Sequence, residues 1–358
     1  MSDLNFKVIT SEMTIKALEY QSDENSMNNV FASGHWLLGN VGKKNISMVN
    51  MQGTKIVNAL HLKHNYFFGA NIAEIVGEPF IQYNDIISND AAGVEQFLNN
   101  THDALPANKI SALHLRNVRV DAKIYNYCQK FGMVIKENNA PCLDMAKFKN
   151  FDEYLASMSK STRKTYRNFF KKLNVEHQYY INDEITKDLA KQIIKLKTDQ
   201  LALIGQSSRA FAQDINIEKL INLVSTPSDD FKTIASITKC NGKLASASIS
   251  FVKGKNYYGY VLAMGSDFSK YCPGNNQILL NIKWAFDNGL EYFDLLSPED
   301  DYKLRWTKGR SIAVYDFLIP MNKRGKIYGH LYLKTIRPIL KSIYLFLKKY
   351  RFKLGFKG

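Results

Sequence analysis

LASASISFVKGKNYYGYVLAMGSDFSKYCPGNNQILLNIKWAFDNGLEYFDLL, residues 244–296, is the stretch on which the fold turns. LASASISFVK and YYGYVLAM flank Gly254-Lys255-Asn256, the pattern of a β-hairpin. YCPGNN then makes a glycine turn. In QILLNIKWAFDNG, residues Ile278, Ile282 and Ala285 fall on one helical face, and Gly289 is a C-terminal stop. LEYFDLL reads as the next strand. An acidic turn, SPEDDYKLRW, follows it, with a helix or turn before the strand SIAVYDFLI. The order is hairpin, glycine turn, helix, strand, helix or turn, strand.

Upstream, residues 151–173 predict one helix, with apolar spacing at Leu155, Met158, Thr162, Tyr166, Phe169 and Leu173. Residues 30–85 read as short strands: FASGHWLLG, KNISMVNMQG, TKIVNALHL and NYFFGA. A helix from Gly93 to Leu105, a strand KISALHLRNV, a helix DAKIYNYCQKFG and a strand MVIKENN complete the first half. No internal repeat is visible in the residues. The 358 residues exceed the roughly 250 that one core usually serves. With 45% apolar and 12% aromatic residues, a sizeable core is expected. The boundaries read as 1–145 for a first α/β domain, 146–322 for a second, and 323–358 for a basic tail.

The cysteines Cys128, Cys142, Cys240 and Cys272 are scattered, which excludes a disulfide framework and a thiolate zinc site. His61-Leu62-Lys63-His64 has metal-like spacing, but lies in a strand-like segment without a carboxylate and reads as a surface pair. No metal is expected. The start, MSDLNFKVITSE, has an early acid and no apolar run, so it does not read as a secretory signal. No run of about 20 apolar residues predicts a spanning helix. A cytoplasmic location is expected.

The net charge of +15 is unevenly spread. From Lys323 to the end there are 11 Lys or Arg and no Asp or Glu; +15 less those 11 leaves +4 for residues 1–322. Nucleic acid is therefore not the expected partner of the body.

Three segments carry candidate chemistry. Pro273, Gly274, Asn275 and Asn276 open a helix, where free backbone N–H groups and the dipole suit an anion such as a pyrophosphate; a plain turn is the competing reading. In KSTRKTYRNFFKK, Lys160, Arg163, Lys164, Arg167 and Lys171 form a basic stripe, and no acid occurs from Leu155 to Asn174. That stripe is a solvated face or an anion site. In the acidic turn, acyl transfer needs a base for the nucleophile's proton and an acid for the departing thiolate. Asp294, Glu299 or Asp300 is the candidate base and Tyr302 the candidate acid. Lys303 or Arg305 would hold an anionic group of the acceptor. The alternative is a solvated loop.

The order PCLDM, LASMSKSTRKTYRNFFKKL, IKLKTDQLALIG and YCPGNNQILLNIKWAFDNGLEYFDLLSPEDDYKLRWT resembles the CelD/BcsL-type (BioF2-like) acyltransferases, GNAT-fold proteins related to the FemABX peptidyltransferases. GEPFIQYNDII resembles that family's segment before its first-domain helix, and the similarity spans about residues 30–320. Pro298 stands where the family pattern has glycine; Asp294, Tyr302 and Lys303 match it. The resemblance implies an α/β (α+β) fold of tandem GNAT-like domains, the first degenerate, with mixed sheets flanked by helices and catalysis mainly in the second domain. It implies an acyl-CoA co-substrate along splayed strands with its pyrophosphate near Gly274, Asn275 and Asn276. It also implies a sugar or glycan-precursor acceptor, linked to envelope or exopolysaccharide assembly. Two other readings stand beside it: an aminoacyl-tRNA-dependent peptidyltransferase, which many relatives serve with a long helical arm not seen here, and a non-catalytic membrane-surface protein.

In the tail, Leu333, Ile336, Leu340, Ile343, Tyr344 and Leu347 follow helical spacing, with Lys334, Arg337, Lys341 and Lys348 largely off that face. The stretch reads either as a helix packed on the domain or as one lying on an anionic membrane. Pro338 is expected to kink or split it, leaving the later part as the anchor.

Overall fold

The computed structural model describes residues 4–16, 29–89, 93–206 and 208–353. The first half contains β1 (Asn5–Ile9), α1 (Glu12–Lys16), β2 (Asn45–Gln52), β3 (Lys55–Phe67), β4 (Ala70–Ile75), β5 (Ile87–Ser88), α2 (Val94–Ala107), β6 (Ala112–Arg119), α3 (Tyr125–Phe131) and β7 (Met133–Asp144). The second half adds α4 (Phe151–Ala156), α5 (Lys160–Lys172), β8 (Val175–Ile181), α6 (Lys187–Leu203), α7 (Asp214–Ser225), β9 (Lys232–Cys240), β10 (Lys243–Lys253), β11 (Asn256–Met264), α8 (Pro273–Asp287), β12 (Tyr292–Asp294), α9 (Asp301–Thr307) and β13 (Ser311–Pro320). α10 (Lys323–Ile327), a π-helix (Tyr328–Ile336) and α11 (Arg337–Lys353) close the described chain.

All strands join one mixed sheet, ordered β1-β2-β3-β4-β6-β13-β7-β12-β11-β10-β9-β8, with β5 on β3. The repeat that the residues hide is visible in this topology. Each half has one parallel pair, β4 with β6 and β11 with β12. A helix crosses over between its two strands, α2 in the first half and α8 in the second. The halves also interlock. β13 is the last strand of the second half but lies between β6 and β7 of the first, and β7 in turn pairs with β12. A boundary at residue 145 therefore divides the chain but not the sheet.

One core runs through both halves. The segment around Trp36 shows how. FASGHWLLG was expected as a strand, but Gly34–Leu37 is a 3-10 turn capped by Ser33, whose side chain accepts from the His35 N–H. The turn drives Trp36 and Phe31 into the second half, 5.5 Å from Phe251 and 6.0 Å from Tyr258 between ring centres. Aromatic burial across halves outweighs local strand preference there.

Three further expectations change. The helix expected over 151–173 is two, because Asn150 caps α4 and Ser159 caps α5 through the Thr162 N–H. His61 is not a surface group: it is buried, its Nδ1 lies 2.6 Å from Ser47 Oγ, and burial pushes its pKa down to about 3. Pro338 does not split the tail. It sits at the second position of α11, and the preceding turns widen to i→i+5 bonds such as Arg337 N–H to Tyr332 O. The widening accommodates the proline ring and its missing donor without a break.

Candidate active site

The parallel pairing of β11 with β12 lasts only from Asn256–Tyr292 to Tyr258–Asp294. β11 then continues to Met264 while the other chain turns away, so the edge of β11 from Gly259 onward has no strand partner on that side. A bulge at Tyr260 sharpens the divergence: Ile249 pairs with Val261 and Ser250 with Gly259, leaving Tyr260 outside the register. Its hydroxyl donates to the Phe80 carbonyl at 2.8 Å, which ties the first half to the rim.

The gap is a cavity of about 290 Å³. β11 forms one wall and Leu295–Pro298 with Tyr302 and Lys303 the other; Ser248, Ser250 and Asn281 form the floor, and Gln82 and Lys197 the rim. Among the described residues, its titratable lining is Lys197, Tyr260, Tyr302 and Lys303, without Asp, Glu or His.

The floor is polar and fully engaged. Gln277 and Asn281, four residues apart on α8, reach Ser236 and Ser248, while Thr238 and Ser246 donate to Gln277 Oε1 at 2.8 and 3.0 Å. A satisfied polar ladder of this kind fixes the register of α8 on the sheet. Sequence reasoning missed these residues. Their signal was present as serine at every second position of β10 and two amides at i and i+4.

The sequence candidates separate. Tyr302 stands at the cavity, 42% exposed, and burial together with the Asp300 carboxylate pushes its phenol up to about 12. Lys303 also lines the cavity, but its Nζ donates to the Leu296 and Pro298 carbonyls at 2.9 and 2.8 Å, clasping the turn that Pro298 enters by a cis peptide bond. None of the three carboxylates considered as a base lines the cavity. Asp294 is buried behind it, accepting from Tyr83 Oη at 2.8 Å, Arg119 at 2.8 Å and the Leu296 N–H at 2.7 Å. Burial raises its carboxyl above the ordinary value, against the pull of Arg119, the Leu296 N–H and Tyr83. Asp300 is exposed at the start of α9, and Glu299 is half-buried beside it.

The proposed anion-binding residues do not line the cavity. Pro273, Gly274 and Asn276 are buried as the first turn of α8, and a Cβ on Gly274 would meet Met264 Sδ at 2.8 Å. Arg163 is committed to the α4 terminus, donating to the Ala156 and Met158 carbonyls, whereas Arg167 is exposed on α5. Arg305 is exposed and stacks over Trp306 at 5.3 Å. α5 packs against α8, the helix whose first turn faces Met264. No cluster of metal-ligating side chains occurs among the described residues, and no described helix is long and apolar enough to cross a membrane.

Lys303 carries a pH signature. Burial lowers its pKa from 10.5 to about 8. Below about 8 the lysine is protonated in both folded and unfolded chains; between about 8 and 10.5 only the unfolded chain holds the proton. Stability contributed by this site therefore rises with pH across that window. Lys303→Met is expected to flatten the rise and to cost about 1–3 kcal/mol at neutral pH, because two carbonyls lose their donor. Denaturant titration across the window reads both effects.

This geometry, a bulged central strand splaying from a parallel neighbour over a crossover helix, coincides with a sequence match. Residues 160–304 match the acetyltransferase (GNAT) domain family. The chain carries a GNAT acyltransferase domain, and its chemistry is acyl transfer. In structure it is similar to FemX, with a TM-score of 0.58 and 11% identity over 91% of this chain and 99% of that one. It is also similar to a conserved protein of unknown function from Bacteroides thetaiotaomicron, with a TM-score of 0.52 and 12% identity over 88% of this chain and 100% of that one. Both likenesses concern the fold. No curated protein matches the chain by sequence.

Proposed function

We propose that the enzyme transfers an acyl group from a coenzyme A thioester to an amine on a sugar of an envelope or exopolysaccharide precursor. The observation that carries this reading is the unpartnered β11 edge beside Tyr302. A pantetheine arm bears amides spaced to pair with an exposed strand edge, as added strands do. The GNAT domain match supports a coenzyme A donor, and the resemblance to glycan-linked acyltransferases supports the acceptor. The diphosphate would reach the start of α8, with the cations of α5 beside it.

In the reaction the acceptor nitrogen attacks the thioester carbon, the C–S bond breaks with its electron pair on sulfur, and the proton lost by nitrogen ends on the thiol. With no carboxylate or imidazole among the described residues of the wall, an acceptor that attacks as a neutral amine fits better than a hydroxyl, which needs a base first. Tyr302 holds its proton up to about pH 12. It therefore acts by donating a hydrogen bond to the developing negative charge rather than by giving the proton away. Asp294 is a positioning residue, tying the Leu296 backbone at the cavity wall to Tyr83 and Arg119.

The exposed cations of α5 favour the aminoacyl-tRNA reading as second choice; against it, among the described residues the one helical run longer than 17 residues is the C-terminal run Lys323–Lys353, and no second long helix pairs with it as an arm. Calorimetry with acetyl-CoA and with charged tRNA separates the two. Micromolar binding of acetyl-CoA, without tRNA binding, supports the proposal; the reverse overturns it. Gly274→Phe is expected to weaken acetyl-CoA binding at least about tenfold, since the new side chain must displace Met264 at the end of the strand edge. Unchanged affinity in the folded variant would place the donor elsewhere.

A further inference from the structure

The β3–β4 hairpin ends in Tyr66-Phe67-Phe68-Gly69, and its register pairs Phe67 with Ala70 around a two-residue turn. Phe68 and Gly69 have φ of 48° and 72°. Turns of this type favour asparagine followed by glycine, and a bulky aromatic at positive φ is unfavourable. Phe68 is nonetheless there, 78% exposed, with Tyr66 beside it at 67%. Local folding does not explain the choice.

The tip is fixed against the C-terminal helix. Phe67 and Phe68 lie 4.5 and 5.6 Å from the Tyr332 ring, and Tyr328 stacks on Tyr332 at 5.3 Å. From this cluster α11 continues with Ile339, Leu340, Ile343, Tyr344, Phe346 and Leu347 each 50–65% exposed. Beside the tip, Tyr66, Lys109, Lys323 and Arg324 line an open cavity of about 500 Å³, and its lining includes no acid among the described residues. Exposed aromatics and an acid-free set of cations thus adjoin at the tip, and the helix that holds the tip runs on with exposed apolar residues. Amphipathic helices with basic flanks lie in the boundary between headgroups and acyl chains, where aromatic rings are also at home.

We propose that the β3–β4 hairpin tip and the C-terminal helix form one platform for an anionic phospholipid surface, with Phe68 entering the headgroup boundary and Lys109, Lys323 and Arg324 taking a lipid phosphate. The platform does not depend on the acyl donor or acceptor, and it brings an acyltransferase to the surface where lipid-linked acceptors would be found.

The test uses the full chain and vesicles of phosphatidylcholine with or without phosphatidylglycerol. Co-sedimentation is expected only with phosphatidylglycerol, and is expected to fall as salt rises. Phe68→Ser lowers the partition coefficient roughly tenfold. The pair Lys323→Glu with Arg324→Glu lowers it by roughly fivefold or more per residue and reduces the salt dependence. Phe68→Trp, which keeps the ring, shows a blue-shifted difference spectrum against the wild type on adding anionic vesicles. Partition unchanged by Phe68→Ser, together with no shift in Phe68→Trp, overturns the platform. Equal binding to neutral vesicles overturns the role of the cations. Phe68-independent binding to heparin that equals vesicle binding assigns the face to polyanions instead. A lipid-free dimer broken by Phe68→Ser assigns it to a second copy.

Discussion

Tyr302→Phe is expected to lower turnover about 10²- to 10³-fold, the usual cost of removing one donor to a developing anion. Donor affinity should stay within about twofold, because only the hydroxyl is lost and the ring still lines the cavity. Steady-state release of free thiol, with calorimetry of acetyl-CoA on the same variant, separates the two quantities. The wild-type rate should rise with the neutral fraction of the acceptor amine, with no downturn from the phenol below about pH 12. Undiminished turnover in the variant would remove Tyr302 from the chemistry.

Asp294→Ala is expected to cost about 3–5 kcal/mol of folding stability, the range for breaking a buried ion pair. Three donors, from Tyr83, Arg119 and the Leu296 backbone, converge on this carboxylate, and all lose their acceptor together. Arg119 keeps its bonds to Asp121, which favours the lower end of the range. Adding Arg119→Met should recover part of the loss, because the uncompensated cation then disappears. Chemical denaturation measures each variant. A fully stable Asp294→Ala with abolished turnover would instead make the carboxylate part of the reaction itself.

Much of the second half could be read along the chain, since its signals are local. The Gly254-Lys255-Asn256 turn and Gly289 after α8 are short-range steric facts and stand where expected, whereas α8 begins at Pro273, so the expected glycine turn is its first helical turn. β12 is shorter than LEYFDLL suggested: Leu295 still donates to the Pro141 carbonyl of β7, but Leu296 has φ of 60° and gives its N–H to the Asp294 carboxylate, turning the chain into the cavity wall. The π-helix before Pro338 had no local signal to announce it, since propensity favours an interruption there.

Residue types in the acidic turn suggested a site; in the fold Tyr302 and Lys303 line a cavity and the three carboxylates do not. Chain order could not say that Asp294 turns away from that cavity, as its direction depends on Tyr83 and Arg119, more than 170 residues away in the chain. The same holds for β13, whose alternation predicts a strand but whose neighbours, β6 and β7, belong to the other half. Composition, turns, caps and helical faces act within a few residues and are written in the order of the chain. Sheet order, the loss of solvent around Asp294 and the meeting of Phe67 with Tyr332 arise only when distant segments exclude water together, and the folded molecule alone decides them.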